Sequence, residues 1–248
     1  MRIATWNVNS IGARLPRFLP WLEEAAPDVV AVQETKTAAF PVAEVAGLGD
    51  EVAHSGDGRW NGVGILSRIG LEQVETVHDG HPEPRLVSAQ CGPLHVTSVY
   101  VPNGRALDDP HYQYKLDWLA TLRSRLDRFD PAQPLVVMGD FNVARTDDDV
   151  WDPSLFVGST HVTPAEREAM DALVDWGLVD VVPRPGKGDR PFTYWDYRAG
   201  LFHKDCGMRI DYVLATPAVV VKDAWVDREA RKGKGPSDHA PVIVDVEV

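Results

Sequence analysis

Residues Leu135 to Asn142 read LVVMGDFN. Four apolar residues in a row, too few for a helix, fit a strand buried on both faces. Gly139 then frees the backbone, and Asp140 and Asn142 stand where the strand runs out. Asp28 to Gln33, DVVAVQ, repeats the pattern and delivers Glu34 at its end. Ile3 to Val8 is a third such strand, carrying Asn7 before a turn at Asn9–Gly12. Near the other end Ser237-Asp238-His239-Ala240-Pro241 leads into an apolar run at Val242–Val246. Asp211 lies within the strand-like RIDYVLA, where a carboxylate between Ile210 and Tyr212 costs energy unless it is paired.

Further strands are expected at Gly62–Leu66, Leu86–Gln90, Leu94–Val101, Arg209–Leu214 and Ala224–Val226. Tyr112, Leu116, Leu119, Leu126 and Phe129 recur at helical spacing, which predicts an amphipathic helix over Asp109–Phe129. Leu15–Ala25 also has helical character, interrupted by Pro20. Thr163 to Gly177 has the firmest local signature. Thr163 is an N-cap, Pro164 occupies the first helical position, Glu166 completes a capping box, and Gly177 suits the left-handed residue past the end. Without a repeat, low-complexity tract or linker, residues 1–248 read as one α/β domain.

Composition limits the function classes. The 248 residues are 44% apolar and 25% charged, ordinary for a globular domain. The net charge of −12 opposes nucleic-acid binding as a bulk property, since phosphate attracts lysine and arginine. Two late stretches run the other way. Arg184 to Arg209 holds six basic residues against three acidic ones, and Lys222 to Gly235 holds five against three. Screening over about 8–10 Å makes such local balance matter more than the total. Cys91 and Cys206 are far apart and form no CxxC, and no apolar leader follows a basic start. The expectation is a cytoplasmic, monomeric enzyme without a membrane segment.

Taken singly, each polar residue has a plain structural reading. Asn7 would be a turn residue, Glu34 a solvated strand end, Asp140 and Asn142 an Asx turn, and His239 a hydrogen-bonded structural histidine. Together they make a different sense. Carboxylates, amides and one histidine at strand ends suit metal-assisted phosphodiester hydrolysis. An anionic substrate needs a hard cation among the carboxylates, and oxygen ligands suit Mg²⁺. A carboxylate crowded by like charge has a raised pKa and serves as a base near neutral pH. An Asp–His pair fixes the imidazole tautomer.

GDFN at 139–142, SDHAP at 237–241, WNVNS at 6–10 and QETK at 33–36 resemble the endonuclease/exonuclease/phosphatase superfamily. YVPNG at 100–104, TPAEREAMDALVDWGLVD at 163–180, FTYWDYR at 192–198 and GMRIDYVLA at 207–215 are similar to its exonuclease III and apurinic/apyrimidinic endonuclease branch. The resemblance covers essentially the whole chain in order. It implies a four-layered α/β sandwich of two packed mixed β-sheets flanked by helices. It also implies hydrolysis of the phosphodiester 5′ to an abasic site in duplex DNA, with 3′→5′ exonuclease action at recessed 3′ ends. The implied cofactor is Mg²⁺, with Mn²⁺ substituting.

On that resemblance Glu34 binds the metal, with Asn7 and Asp238 nearby. Asp140 and Asn142 activate the attacking water. His239, held by Asp211, contacts the scissile phosphate together with Tyr100 and Asn103. Tyr194, Met208 and Ile210 line the sugar pocket, and Arg105, Lys204 and Arg209 face DNA. Met208 stands where bacterial exonuclease III enzymes carry leucine and human-type enzymes tryptophan, and the YVPNG loop is shorter than the human-type one. The rival readings are another phosphodiesterase or phosphatase of the superfamily, and a non-catalytic nucleic-acid-binding regulator. FTYWDYR with GMRIDYVLA counts against the first, and the full set of polar residues against the second.

Overall fold

A computed structural model describes residues 1–248. Its first strand, β1 (Arg2–Asn7), pairs in parallel with β2 (Val29–Gln33) through the crossover helix α1 (Ile11–Ala25). The same unit recurs in mid-chain. β7 (Leu94–Tyr100) pairs in parallel with β8 (Leu135–Asp140) through α3 (Pro110–Leu126). Each unit is the parallel centre of an otherwise antiparallel six-stranded sheet.

One sheet takes the order β11–β12–β1–β2–β4–β3, with β3 at Glu51–Ser55, β4 at Val63–Ser67, β11 at Val220–Val226 and β12 at Val242–Glu247. The other takes β5–β6–β7–β8–β10–β9, with β5 at Glu72–Glu75, β6 at Leu86–Cys91, β9 at Val179–Asp180 and β10 at Asp211–Ala215.

Strand alternation turns these sheets into layers. Ile3, Val29, Ala31 and Ile65 point inward and meet Val87, Ala89, Val96, Val136, Met138 and Val213 of the facing sheet. Their neighbours Ala4, Trp6, Val30, Val32 and Leu66 point outward and pack on α1. On the far side Val99, Val137, Tyr212 and Leu214 pack on α3 and on α4 (Pro164–Asp175). Helix, sheet, sheet and helices make the four expected layers.

Several expectations need adjustment. Pro20 does not break α1, nor does Pro16; the helix starts four residues earlier than the periodicity suggested, within the expected turn. Phe18 and Trp21 of α1 pack with Trp6 of β1, and this buried aromatic contact holds the proline-containing helix in place. Helix α3 begins at its Asp109 cap but ends at Leu126, short of Phe129. The capping box of α4 is present as read, with both reciprocal hydrogen bonds, and Gly177 follows at φ 129°. Five elements were not expected: the five-residue α2 (Val42–Ala46), the edge strand β3, β5, whose four residues are all exposed, the two-residue edge strand β9, and the short helix at Leu201–Lys204. No helix is long and apolar enough to cross a membrane.

Candidate active site

The polar residues singled out in the sequence gather at one end of both sheets. β1 ends in Asn7 and β2 leads to Glu34, while β7 ends in Tyr100 and β8 in Asp140. β10 starts at Asp211, whose register partner on β8 is Asp140. The Asn7 amide joins the sheets, its Nδ2 donating to Glu34 Oε1 at 2.9 Å and to Asp140 Oδ2 at 2.8 Å. Its Oδ1 accepts from the Asn9 backbone at 3.0 Å. Asn7 therefore orients two carboxylates at the expected metal site. Lys36 pairs with Glu34 at 2.8 Å. Gly139 lets β8 come this close to β7, because a Cβ there would stand 2.0 Å from the Val99 carbonyl oxygen.

Asp140 is buried, and burial raises its pKa to about 7. The like charges of Asp211 and Glu34 push the same way, against His239 and the Asn7 hydrogen bond. Its Oδ1 accepts from the Asn142 backbone N–H at 2.9 Å, closing the Asx turn expected after Gly139. His239 faces it, with Nε2 3.8 Å from Asp140 Oδ2. The other imidazole nitrogen, Nδ1, donates to Asp211 Oδ2 at 2.8 Å. That oxygen also accepts from the Thr193 hydroxyl at 2.6 Å. Burial alone would lower the pKa of His239, but Asp211, Asp140 and Asp238 raise it to about 10. The site thus holds an imidazolium, oriented by Asp211, beside a carboxylate poised near neutrality. The Tyr100 hydroxyl stays protonated, pushed up by burial and by Glu34 and Asp140.

Glu34, Asp140 and His239 place one donor atom each within 4.8 Å of one another. An imidazolium has no free lone pair, so His239 is a poor ligand in this state. The carboxylate oxygens of Glu34 and Asp140 remain, and hard anionic oxygens fit Mg²⁺ or Mn²⁺. Asp238 lies at the rim and accepts from Asn9 Nδ2 at 3.0 Å.

The model of the endonuclease/exonuclease/phosphatase family matches residues 4–239. The chain belongs to that family. Its similarity to exodeoxyribonuclease III of Haemophilus influenzae is 29% identity, covering 98% of each chain. The structure of an AP endonuclease from Archaeoglobus fulgidus superposes with a TM-score of 0.95 at 36% identity, over 100% of both chains. A 3′ phosphatase from Neisseria bound to a product DNA hairpin gives 0.93, also at 36% identity and full coverage.

Around this family core the remaining expected residues fall into place unevenly. Asn103 is exposed and donates to Asn142 Oδ1 at 3.2 Å. Tyr194, Met208 and Ile210 come together with Ala144, Val150, Phe156 and Val162, and the Tyr194 ring lies 4.9 Å from that of His239. Ile210 is only 2% exposed, so it is the floor of that apolar cluster and not a contact surface. Arg105 is exposed, 3.7 Å from Asp109, and Lys204 is exposed on the short α5 (Leu201–Lys204).

Arg209 corrects the sequence reading. It is buried, bonded through Nε to Asp149 at 2.6 Å and through both terminal nitrogens to Asp180 at 2.9 and 2.8 Å. Its charge is spent inside the protein and does not face DNA. Elsewhere in this basic stretch Arg184 and Arg198 are exposed and pair at the surface with Asp223 and Asp196, while Lys187, Arg190 and Lys204 form no ion pair.

Sequence reasoning missed three groups. Thr193 bonds Asp211 and, through its hydroxyl oxygen, accepts from the Ile210 and Asp211 backbone N–H groups. His161 sits at φ 84°, with Nε2 3.2 Å from both Asn103 Nδ2 and Asn142 Oδ1. Lys115 and Glu166 form an ion pair with no solvent exposure. The sole hint for His161 was its place two residues ahead of the Thr163 cap.

Proposed function

We propose that the protein is a Mg²⁺-dependent DNA-repair phosphodiesterase. It hydrolyses the backbone 5′ to an abasic site in duplex DNA, leaves a 3′-hydroxyl, and degrades duplexes 3′→5′ from recessed ends. The observation that carries the reading is the Asp211–His239 pair beside Asp140. A fixed cation in a buried site stabilises a phosphoryl oxygen as charge builds, with no solvent reorganisation at the moment of reaction. Asp140, raised toward neutral pH, accepts the proton of the attacking water; the Asn142 backbone holds its orientation and the Asn142 side chain helps to place that water. The Tyr100 hydroxyl and the Asn103 amide are the neutral donors toward the phosphate. Glu34 would hold Mg²⁺, with Asp140 beside it and Asp238 at the rim, and the cation would supply charge neutralisation of the phosphate.

The choice of an abasic nucleotide follows from extrusion, which costs least where the base is missing. Tyr194 and Met208, over Ile210, offer the small apolar surface that a base-free sugar fits. One observation favours a second reading, the trimming of 3′ termini. Met208 is 9% exposed and Ile210 2%, so the apolar cluster is nearly closed. A terminal 3′-phosphate would need no such pocket, and a relative of this chain is named a 3′ phosphatase.

The test compares three duplexes at one salt and one Mg²⁺ concentration: an internal abasic site, a recessed 3′-hydroxyl and a recessed 3′-phosphate. The proposal expects abasic cleavage that stops with chelator. Met208→Ala and Tyr194→Ala should lower that rate more than the exonuclease rate. Cleavage that survives excess chelator refutes the mechanism. Cleavage confined to 3′ ends, or a fall of both rates together, assigns the pocket residues to packing and selects the second reading.

A further inference from the structure

Lys115 lies midway along α3, on a helix whose exposed face would ordinarily take a lysine. Instead its side chain is fully enclosed. The ammonium donates to Glu166 Oε1 at 2.5 Å and to the Asn142 carbonyl at 2.6 Å. It also reaches the Asn103 carbonyl and the Thr160 hydroxyl oxygen, both at 3.3 Å. Three separate loops meet at one nitrogen, and each presents a polar residue on the opposite side: Asn103, Asn142 and His161. Glu166 fastens one of these loops, the one ahead of α4. Its Oε1 accepts from Thr160 Oγ1 at 2.6 Å and from the His161 backbone at 2.9 Å, while Oε2 accepts from the Thr163 backbone at 3.0 Å. Gly104 permits the approach, since a Cβ there would meet Thr160 Oγ1 at 2.6 Å and Lys115 Cδ at 3.1 Å.

Fold stability does not account for such a pair. Replacing a buried ion pair by apolar side chains of similar volume is often neutral or stabilising, because two charges must be taken out of water. The geometry accounts for it better. Two backbone carbonyls from different loops are drawn to one cation, and this sets their side-chain amides edge to edge, with Asn103 Nδ2 3.2 Å from Asn142 Oδ1. His161 closes the same edge, and burial together with the Lys115 charge keeps its imidazole neutral, a donor or acceptor and not a second cation.

We propose that Lys115, balanced by Glu166, is a positioning residue that sets the Asn103–Asn142–His161 edge against the phosphate. Lys115 touches no substrate and acts through Asn142 and Asn103. The inference rests on the roles given to those two residues in the proposed function.

A double-mutant cycle tests it. Lys115→Met and Asn142→Ala are measured singly and together on abasic duplex, with a melting curve for each and with kcat, KM and the Mg²⁺ concentration for half activity. Lys115→Met should lower kcat by about 10- to 100-fold, leave KM within about threefold, and leave the Mg²⁺ requirement unchanged, because Glu34 is untouched. In the Asn142→Ala background the same change should cost less than about threefold, since residues that act as a unit are non-additive. If Lys115→Met does not fold, Lys115→Met with Glu166→Gln removes both charges, keeps an acceptor for the Thr163 cap, and enters the cycle in its place. Losses that multiply in the cycle, or a Lys115→Met enzyme of normal kcat, reduce the pair to a structural one. An Asn142→Ala enzyme of normal rate would instead remove the site assignment on which the inference stands.

Discussion

Asp211→Asn separates shape from charge at the pair that carries the proposed chemistry. Asp211 Oδ2 takes both the Thr193 hydroxyl and the His239 Nδ1 proton, while Oδ1 is buried with no partner. An amide can keep its oxygen at the first position, which leaves an N–H where nothing accepts it. Turned the other way, its NH₂ faces Nδ1 and reverses the tautomer. In either arrangement the imidazolium loses its counter-ion. A hydrogen bond to a charged partner contributes about 1.5–3 kcal/mol. At about 1.4 kcal/mol per tenfold change, this predicts a rate about 10- to 150-fold lower. The pH profile should change with it. In the parent, His239 is held protonated to about pH 10 and stays charged through neutrality. Without Asp211 its pKa falls back toward the ordinary value near 6.5, so the rate of the variant should decline as pH rises through neutrality. The assay is single-turnover cleavage of abasic duplex at saturating Mg²⁺ between about pH 6 and 9, with a melting curve to show that the variant is folded. A variant that keeps the parental rate and profile would show that the charge on His239 is not used.

Two other outcomes bear on the remaining polar groups. Asp140→Asn keeps the shape and removes the basicity, so the rate should fall by about 10²–10⁴-fold. The parent should lose activity as pH drops through the Asp140 titration, which burial raises and bound Mg²⁺ lowers, and the variant should lack that acidic limb. Arg209→Leu should destabilise the fold by about 3–5 kcal/mol, by stranding the buried Asp149 and Asp180 carboxylates, as read by denaturant unfolding. The salt dependence of DNA binding should be unchanged; a slope reduced by about one phosphate contact would return Arg209 to the DNA-facing surface.

Much of this was legible before any coordinates. The strands of the two parallel centres announced themselves as apolar runs, and α4 by its capping box, because burial on both faces and satisfied helix ends leave local marks in a sequence. Asn7, Glu34, Asp140, Asp211 and His239 were found for a related reason. A polar residue at or inside an apolar strand is conspicuous. What escaped depended on distant pairing. Arg209 reads as a surface cation until Asp149 and Asp180 arrive from 60 and 29 residues away. Lys115 reads as the wet face of α3 until three loops fold over it. β5, with every residue exposed, is a strand only because β6 lends it a ladder.

The register that sets Asp140 directly across from Asp211 has a consequence for engineering. Like charges opposite one another on neighbouring strands destabilise a sheet. A procedure that ranks substitutions by folding free energy alone would therefore choose Asp140 among its first repairs, since neutralising Asp211 would strand the buried imidazolium. Neutralising Asp140 relieves the conflict and removes the base. Selection for heat resistance without selection for cleavage would drive the protein toward stable, inert descendants. The local frustration is the part of the architecture that a thermostable design has to leave alone.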